Sequence, residues 1–252
     1  MKFITIIPAR YQSHRLPGKP LIDIHGKPMI QWVTEQASRS KAERVVVATD
    51  DERIAKVVED FGGEVCMTSK NHPSGTDRLQ EVCSILSLSE DEVIVNVQGD
   101  EPLMPASVIN QVASNLVDSG MDMATLWEKI GDVEDLLDPN IVKVVTDHQS
   151  RAIYFSRAAI PYPRDEFSSE GRKLLSAMSY KRHLGIYAYR VSLLNRYVNW
   201  QPTPLEQTEK LEQLRALWHG VDIHIAEAIE SIPPGIDTEK DLQRTLAALS
   251  KS

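Results

Sequence analysis

Short apolar runs rich in valine and isoleucine alternate with amphipathic segments over the first half of the chain. The runs are FITIIPA, RVVVATD, EVCMT and EVIVNVQGD, and the segments between and after them carry apolar residues at helical spacing. This alternation is typical of parallel βαβ units, whose strands are covered by helices on both faces and therefore contain few polar residues. The sequence therefore predicts an α/β fold with a mostly parallel sheet flanked by helices.

The pattern changes after the segment MATLWEKI. The stretches IVKVVTD and RAIYFSRAAIP predict an antiparallel pair of strands, and HLGIYAYRV predicts another strand. The stretch PLEQTEKLEQLRALWHG predicts one continuous helix. We therefore expect a single domain over residues 1–252, with a smaller strand-rich insertion at roughly residues 131–200.

The composition narrows the class of partner. The chain of 252 residues has a formal net charge of −8, whereas general binding to nucleic acid or to an anionic membrane favours a basic surface. No apolar run approaches the ~20 residues of a membrane-spanning helix, and the apolar part of MKFITIIPAR is too short for a signal peptide. We therefore expect a cytoplasmic protein with neither nucleic acid nor membrane as a partner. Cys66 and Cys83 are the only cysteines, and both are expected in the core.

A cationic stretch follows the first predicted strand. The segment ITIIPARYQSHRLPGKP places Arg10, Arg15 and Lys19 at the carboxyl end of that strand, where ligands of open parallel sheets bind. Its prolines restrict the backbone, so the cations are held in a stiff loop. The segment has neither GxxxxGK[ST] nor GxGxxG spacing. On charge alone, a basic surface turn is as good an interpretation as a phosphate-binding loop.

Two aspartates are candidates for metal binding. Asp100 follows the strand EVIVNVQG, and Asp237 lies in SIPPGIDTEKDL. A cationic loop and a carboxylate at the same sheet edge are the two halves of a site for a nucleoside triphosphate and Mg²⁺. The alternative for each aspartate is to cap a nearby helix, and sequence order does not show whether the two carboxylates meet.

Further polar residues lie at the borders of apolar segments. In HPSGTDRLQEV, Ser74 and Thr76 could present backbone N–H groups to a ligand, although a simple helix cap is favoured by their spacing. Arg78, one turn later, is ambiguous. Four more residues lie beside apolar strands or a helical apolar stripe, where structural or solvated roles are the ordinary alternative: Arg157, His183, Glu212 and Gln213.

Together these stretches resemble the CMP-Kdo synthetases, the 3-deoxy-manno-octulosonate (Kdo) cytidylyltransferases. The matching segments span residues 4 to about 242 and are IIPARYQSHRLPGKPL, VVVATDD, GGEVCMT, VIVNVQGDEP, YFSRAAIPY, RHLGIYAYR, YVNWQPTPLE and LEQLR. The resemblance implies a Rossmann-like nucleotidyltransferase sheet, with the insertion serving the sugar and dimer contacts. It also implies transfer of CMP from CTP to the anomeric hydroxyl of Kdo, with release of diphosphate, for lipopolysaccharide biosynthesis by a homodimer.

The resemblance also assigns roles to individual residues. Lys19, Arg15 and Asp100 would act in catalysis, and Asp100 and Asp237 would hold Mg²⁺. The nucleotide would be bound by Ala9, Arg10, Arg15, Lys19, Ser74, Arg78 and Gln98. The sugar would be bound by Arg157, His183, Tyr187, Glu212 and Gln213. Since Kdo is an acid, cations such as Arg157 or a charged His183 would offset its repulsion from CTP.

The chain departs from the family pattern toward the sugar side. Asp77 replaces a usual glutamate in GTDRL, the residues after MATL are Trp127, Glu128 and Lys129, and residues 164–180 differ from common members. One alternative acceptor is therefore the 8-amino analogue of Kdo (Kdo8N), whose ammonium Glu128 or Asp77 could bind. More distant alternatives are another acidic sugar or a polyol phosphate as acceptor, and a non-catalytic nucleotide-binding module. The last is disfavoured by the joint presence of Arg10, Lys19 and Asp100.

Overall fold

The first half of the protein folds as alternating strands and helices. The computed structural model describes residues 1–12, 16–72, 74–168, 174 and 179–249, so the predicted site residue Arg15 lies outside the described residues. The elements are β1 (Ile4–Ala9), a 3-10 helix (Lys19–Leu21), β2 (Asp23–Ile24), β3 (Lys27–Pro28), α1 (Met29–Ser38), β4 (Arg44–Thr49), α2 (Glu52–Asp60), β5 (Glu64–Met67), α3 (Gly75–Ile85), β6 (Val93–Asn96) and α4 (Ala106–Ser119). The predicted α/β alternation is confirmed.

The second half adds strands to both the centre and the border of the sheet. Its elements are β7 (Met123–Lys129), α5 (Val133–Leu137), β8 (Lys143–Thr146), β9 (Ala152–Ser156), β10 (Lys181–Arg190), α6 (Val191–Tyr197), α7 (Pro204–Glu209), α8 (Gln213–Trp218), β11 (Ile223–Glu227) and α9 (Glu239–Leu249). The expected antiparallel pair is present as β8 and β9.

The prediction of one continuous helix over residues 204–220 is wrong. Helix α7 ends at Glu209, and Lys210 adopts a left-handed conformation with φ of +56°. In an unbroken helix, Glu206 and Arg215 would lie about 13.5 Å apart along the axis. The break instead lets Arg215 Nε donate to Glu206 Oε2 at 2.8 Å. The break thus permits a buried ion pair that a continuous helix would not form.

Seven strands form the main body of one sheet, in the order β11-β7-β10-β6-β1-β4-β5. The pairs β1–β4, β1–β6, β4–β5 and β7–β11 are parallel, and β10 runs antiparallel to both of its neighbours. Strand β8 pairs with the beginning of β10 and with β9. Because β10 lies in the main sheet although it falls within residues 131–200, the limits of the expected insertion stay a prediction.

Apolar side chains cover both faces of the sheet, since neighbouring strand residues point to opposite faces. Ile7 and its in-register partner Val47 face one core, which contains side chains of α1, α2 and α4. Ile6 and Val46 face the other core, which is covered by α3, α6 and α8. Both cysteines are free and buried, as expected. The candidate nucleotide and metal residues of the first half, such as Arg10 and Asp100, therefore follow the ends of the strands.

Candidate active site

A cavity of about 330 Å³ lies where β1 and β6 end. Its wall includes six of the residues assigned to the nucleotide and the metal, namely Ala9, Arg10, Lys19, Gln98, Asp100 and Asp237. The remaining lining residues are Pro8, Gln12, Pro20, Gly75 and Gly99. We call this space the nucleotide cavity. The structure thus brings most of the predicted nucleotide and metal residues to one edge of the sheet, while their individual roles stay predictions.

Lys19 joins the two candidate metal ligands. Its Nζ donates to Oδ2 of Asp100 at 2.6 Å and to Oδ1 of Asp237 at 2.8 Å, although Asp237 is 218 positions away in the sequence. Burial opposes the charge on Lys19, but the two carboxylates outweigh it and raise the pKa of the ammonium above its ordinary value. Both carboxylates therefore meet at a single cation.

This geometry fits a magnesium ion that is shared with a triphosphate. In the described ranges, no group of three or more His, Cys, Asp or Glu side chains could enclose a metal ion. Mg²⁺, however, is commonly held by one or two carboxylates, with phosphate oxygens and water completing the shell. Burial raises the pKa of the adjacent Glu101 to about 8, and the charge of Asp100 adds to the rise. Glu101 is therefore a poorer candidate ligand than Asp100 and Asp237, which both line the nucleotide cavity.

Tyr11, near the start of the cationic loop, holds the loop in place through its backbone carbonyl and its ring. The N–H of Gly18 donates to the Tyr11 carbonyl at 3.1 Å, and Gly18 has a φ of +69°. The Arg53 guanidinium lies 3.3 Å from the centre of the Tyr11 ring, and Asp51 accepts from Arg53 Nε at 2.9 Å. Helix α2, which begins beside the site, therefore supports the loop that carries Arg10 and Lys19.

Two further nucleotide candidates have structural partners. The Ser74 side chain caps α3 by accepting from the N–H of Asp77, while the Ser74 carbonyl accepts from Arg10 Nη2 at 3.0 Å. Arg78 is fully buried, contacts Thr68 Oγ1, and lies 3.4 Å from Asp50 Oδ2. Burial lowers the pKa of Arg78. Ser74 thus acts as a cap that also orients Arg10, and Arg78 is not among the residues that line the nucleotide cavity.

Gly99 marks a close approach between two strands. A Cβ atom at this position would lie 2.7 Å from the carbonyl oxygen of Pro8, at the end of β1. Such a separation is below van der Waals contact, so a side chain at position 99 would force the strand ends apart. The neighbouring Gln98 donates to the carbonyl of Gly185 at 3.3 Å, in the irregular part of β10.

A second cavity of about 310 Å³ adjoins the first, and the two share Gly75 and Gln98. It contains three of the residues assigned to the sugar, Tyr187, Glu212 and Gln213. The other lining residues are Thr76, Asn96, Met123, Tyr189, Tyr197, Lys210 and Leu211. We call this space the acceptor cavity. A molecule bound in the acceptor cavity would lie next to a nucleotide bound in the nucleotide cavity.

The position of Glu212 is set by its neighbours. Thr76 Oγ1 donates to Glu212 Oε2 at 3.0 Å, and the Tyr197 hydroxyl donates to the Glu212 carbonyl at 2.9 Å. Arg215 lies 4.6 Å from the Tyr197 ring and is paired with Glu206. The break between α7 and α8 therefore directs Glu212 and Gln213 into the acceptor cavity.

Arg157 and His183, also assigned to the sugar, do not line the acceptor cavity. Arg157 donates to the carbonyls of Glu209 at 2.7 Å and Pro139 at 2.8 Å. His183 lies against Phe155, and burial lowers the pKa of its imidazole to about 3. His183 is therefore neutral at pH 7 and does not supply the positive charge considered for it. A contribution of either residue to sugar binding stays a prediction.

The carboxylates considered for an 8-amino acceptor are already engaged. Asp77 accepts from the Ser74 hydroxyl, and Glu128 pairs with Arg182. Of the acceptor-cavity residues that sequence reasoning missed, Asn96 lies two positions before Gln98, at the end of β6, and Tyr189 lies two positions after Tyr187 on β10. Period-two spacing back from Gln98 and onward from Tyr187 could have found them. Lys210 carried no such signal, because its place depends on the helix break.

The chain resembles known proteins over its whole length. Residues 4–223 match a family described as cytidylyltransferase. A 3-deoxy-manno-octulosonate cytidylyltransferase of Aliivibrio fischeri (strain MJ11) is 59% identical over 100% of both chains, and one of Vibrio cholerae (serotype O1, strain M66-2) is 55% identical over 96% of each. In the described part of this protein, no helix is long and apolar enough to cross a membrane.

A solved structure supports the same relationship. CMP:2-keto-3-deoxy-manno-octonic acid synthetase complexed with CTP superposes with a TM-score of 0.90 at 40% identity, covering 100% of this chain and 99% of the other. These matches confirm the resemblance inferred from the sequence motifs. The chain belongs to the cytidylyltransferase family.

Proposed function

We propose that this protein is an Mg²⁺-dependent cytidylyltransferase that transfers CMP from CTP to the anomeric hydroxyl of Kdo and releases diphosphate. The observation that carries the proposal is the contact of Lys19 with both Asp100 and Asp237 in a cavity that adjoins a second, polar cavity. The names of the close relatives and the CTP complex of the similar structure support it.

The nucleotide side neutralises and orients the triphosphate. Arg10, fixed by the Ser74 carbonyl, and Lys19 place positive charge at the carboxyl end of β1, where the phosphates would bind. Negative charge builds up on the departing diphosphate, and a protonated Lys19 stabilises that charge without reorganisation. Arg15, which lies outside the described residues, is proposed to assist on the basis of the family motif alone.

Asp100 and Asp237 would hold the magnesium ion together with phosphate oxygens. When bound, the ion supplies charge neutralisation at the triphosphate and polarisation of coordinated oxygens. The protein contributes the carboxylates already converged on one cation, so little rearrangement of the chain is required for binding.

The acceptor side positions the nucleophile. In the reaction, the anomeric oxygen forms a bond to the α-phosphorus, the bond from that phosphorus to the bridging oxygen of diphosphate breaks, and the hydroxyl proton leaves to solvent. A sugar bound in the acceptor cavity would lie next to the nucleotide, because the two cavities share Gly75 and Gln98. Holding both reactants in this geometry lowers the entropic part of the barrier. No side-chain base is assigned.

Kdo is favoured over Kdo8N as the acceptor. The curated relatives are named for Kdo, and Asp77 and Glu128 already have partners. An 8-ammonium group would therefore have to compete with an existing contact of either carboxylate.

We further propose that the reaction serves lipopolysaccharide biosynthesis in the cytoplasm and that the protein is a homodimer. Ile153 on β9, whose side chain is exposed, is consistent with a further protein surface covering that strand.

Diphosphate release from CTP tests the proposal. We expect release with Kdo that requires Mg²⁺, slower release with Kdo8N, and none with an unrelated acidic sugar such as N-acetylneuraminate. The variants Asp100→Asn and Asp237→Asn should each lose turnover while remaining folded, whereas Asp60→Asn, an exposed site on α2, should behave as wild type. CTP binding without release for any sugar would leave a nucleotide-binding module and contradict the proposal. Full activity of Asp100→Asn would contradict the metal assignment.

A further inference from the structure

Asn96 ends β6 with a buried polar atom that has no partner among the described residues. The residue is only 5% exposed, it lines the acceptor cavity, and no group in the described part of the chain hydrogen-bonds to its Oδ1. A buried acceptor without a donor destabilises the folded protein, because it has lost its hydrogen bonds to water and gained none in return. Native proteins rarely retain such a group unless water or a ligand satisfies it.

The surroundings of Asn96 suit a polyhydroxylated ligand. Asn96 is in register with Ile6 on one side and with Tyr187 on the other, so its side chain points to the sheet face that carries Tyr187. Tyr189 and Glu212 line the same cavity. The amide oxygen accepts hydrogen bonds from hydroxyl groups, which sugar acids carry in several positions.

Another buried orphan shows what distinguishes Asn96. Thr5 Oγ1 on the adjacent β1 is also buried and has no hydrogen-bond partner within the described ranges. Thr5 is one position from Ile6 and therefore points to the opposite sheet face, and it lines neither the nucleotide cavity nor the acceptor cavity. Asn96 thus combines an unsatisfied acceptor with an open space for a ligand, whereas Thr5 offers only the former.

We propose that Asn96 is a specificity-determining residue for the acceptor, whose side-chain oxygen accepts a hydrogen bond from a hydroxyl group of the sugar acid. This inference rests on the proposed function of the acceptor cavity. An acceptor analogue without that hydroxyl would leave Asn96 buried and unpaired. A site of this kind rejects the deoxy analogue more strongly than an apolar wall would.

The test compares wild type with Asn96→Leu, which removes the acceptor oxygen at similar size. KM and kcat are measured for CTP, for Kdo and for its 4-, 5-, 7- and 8-deoxy analogues. We expect KM for Kdo to rise about tenfold, which corresponds to the loss of one hydrogen bond, with KM for CTP unchanged. For one deoxy analogue, wild type should have a much higher KM than for Kdo, whereas Asn96→Leu should have similar KM values for that analogue and for Kdo. Stability in urea should stay the same or increase, because an unsatisfied buried group has been removed.

Two controls separate specificity from packing. Asn96→Ala removes the same oxygen without blocking space, and it should show the same loss of discrimination. Thr5→Val removes the matched orphan on β1 and should leave every KM unchanged. This inference alone would be overturned if each deoxy analogue had the same KM penalty relative to Kdo in wild type and in Asn96→Leu. It would also be overturned if KM for CTP rose as much as KM for Kdo. Absence of diphosphate release by wild type with Kdo and with every analogue would overturn the proposed function and the inference with it.

Discussion

Thr76 Oγ1 donates a 3.0 Å hydrogen bond to Glu212 Oε2, which joins the start of α3 to the start of α8 across 136 positions of sequence. The bond fixes the Glu212 carboxylate in the acceptor cavity. Thr76→Val keeps the shape of the side chain and removes this donor. We expect a severalfold increase in KM for the acceptor with little change in KM for CTP, measured by diphosphate release. Thr76→Ser should restore the wild-type values, and a variant in which only the CTP constants change would contradict this role.

Lys19→Met tests the lysine that bridges the two aspartates. The substitution removes the charge that would stabilise departing diphosphate, so we expect kcat to fall about a hundredfold. CTP affinity, measured by calorimetry in the presence of Mg²⁺, should fall much less. Lys2→Met is a control, because Lys2 is exposed and pairs only at the surface with Glu43. A loss of CTP affinity as large as the loss in kcat would contradict a role mainly on the leaving group, and a loss of affinity with kcat unchanged would indicate that Lys19 serves binding alone.

The Arg215–Glu206 pair is buried, with side chains that are 5% and 10% exposed. Arg215→Met leaves a buried carboxylate without its partner, and we expect the free energy of unfolding to fall by about 3–5 kcal/mol. Urea denaturation measures this change. Arg196→Met breaks an exposed pair with Asp122 and should cost less than about 1 kcal/mol. Similar losses for the two variants would show that burial does not set the energy of the first pair.

His183 links stability to pH. Its folded pKa of about 3 lies below the ordinary value of 6.5, so the unfolded chain binds a proton in this window and the folded protein does not. Stability is therefore lost as the pH falls from 6.5 toward 3, by up to about 1.4 kcal/mol per pH unit for this one group. Replacing His183 with Gln removes the effect. Urea denaturation at pH 7, 6 and 5 should give a shallower decrease for His183→Gln, and parallel decreases would refute the assignment.

The sequence predicted the sheet and its ligand edge because both follow from local patterns. Continuous apolar runs indicate strands buried on both faces, and charges placed after Ala9 and Gly99 indicate the edge. The partners of Arg78, Arg157 and His183 could not be predicted, since the groups that bury or bind them come from distant segments. An arginine in a sequence motif gives the same signal whether its guanidinium binds a ligand or a backbone carbonyl.

The orientation of β10 also limited prediction of the acceptor cavity. Tyr187 lies beside Asn96 because β10 pairs with β6 in antiparallel orientation. In the sequence, however, Tyr187 is inside one apolar run, and Asn96 ends the strand formed by another. A search for polar residues immediately after parallel strands passes over both. The helix break at Lys210 could not be predicted for a related reason, since the pairing of Glu206 with Arg215 that accompanies it forms only when the chain folds back.

The close approach of Gly99 to Pro8 restricts which residues position 99 can accept. With only 2.7 Å between the Pro8 oxygen and the place where a first side-chain carbon would stand, even alanine is too large. In a saturation-mutagenesis library selected for growth or activity, codon 99 should return almost exclusively glycine, whereas the open position Gly131 should accept a wider range of residues.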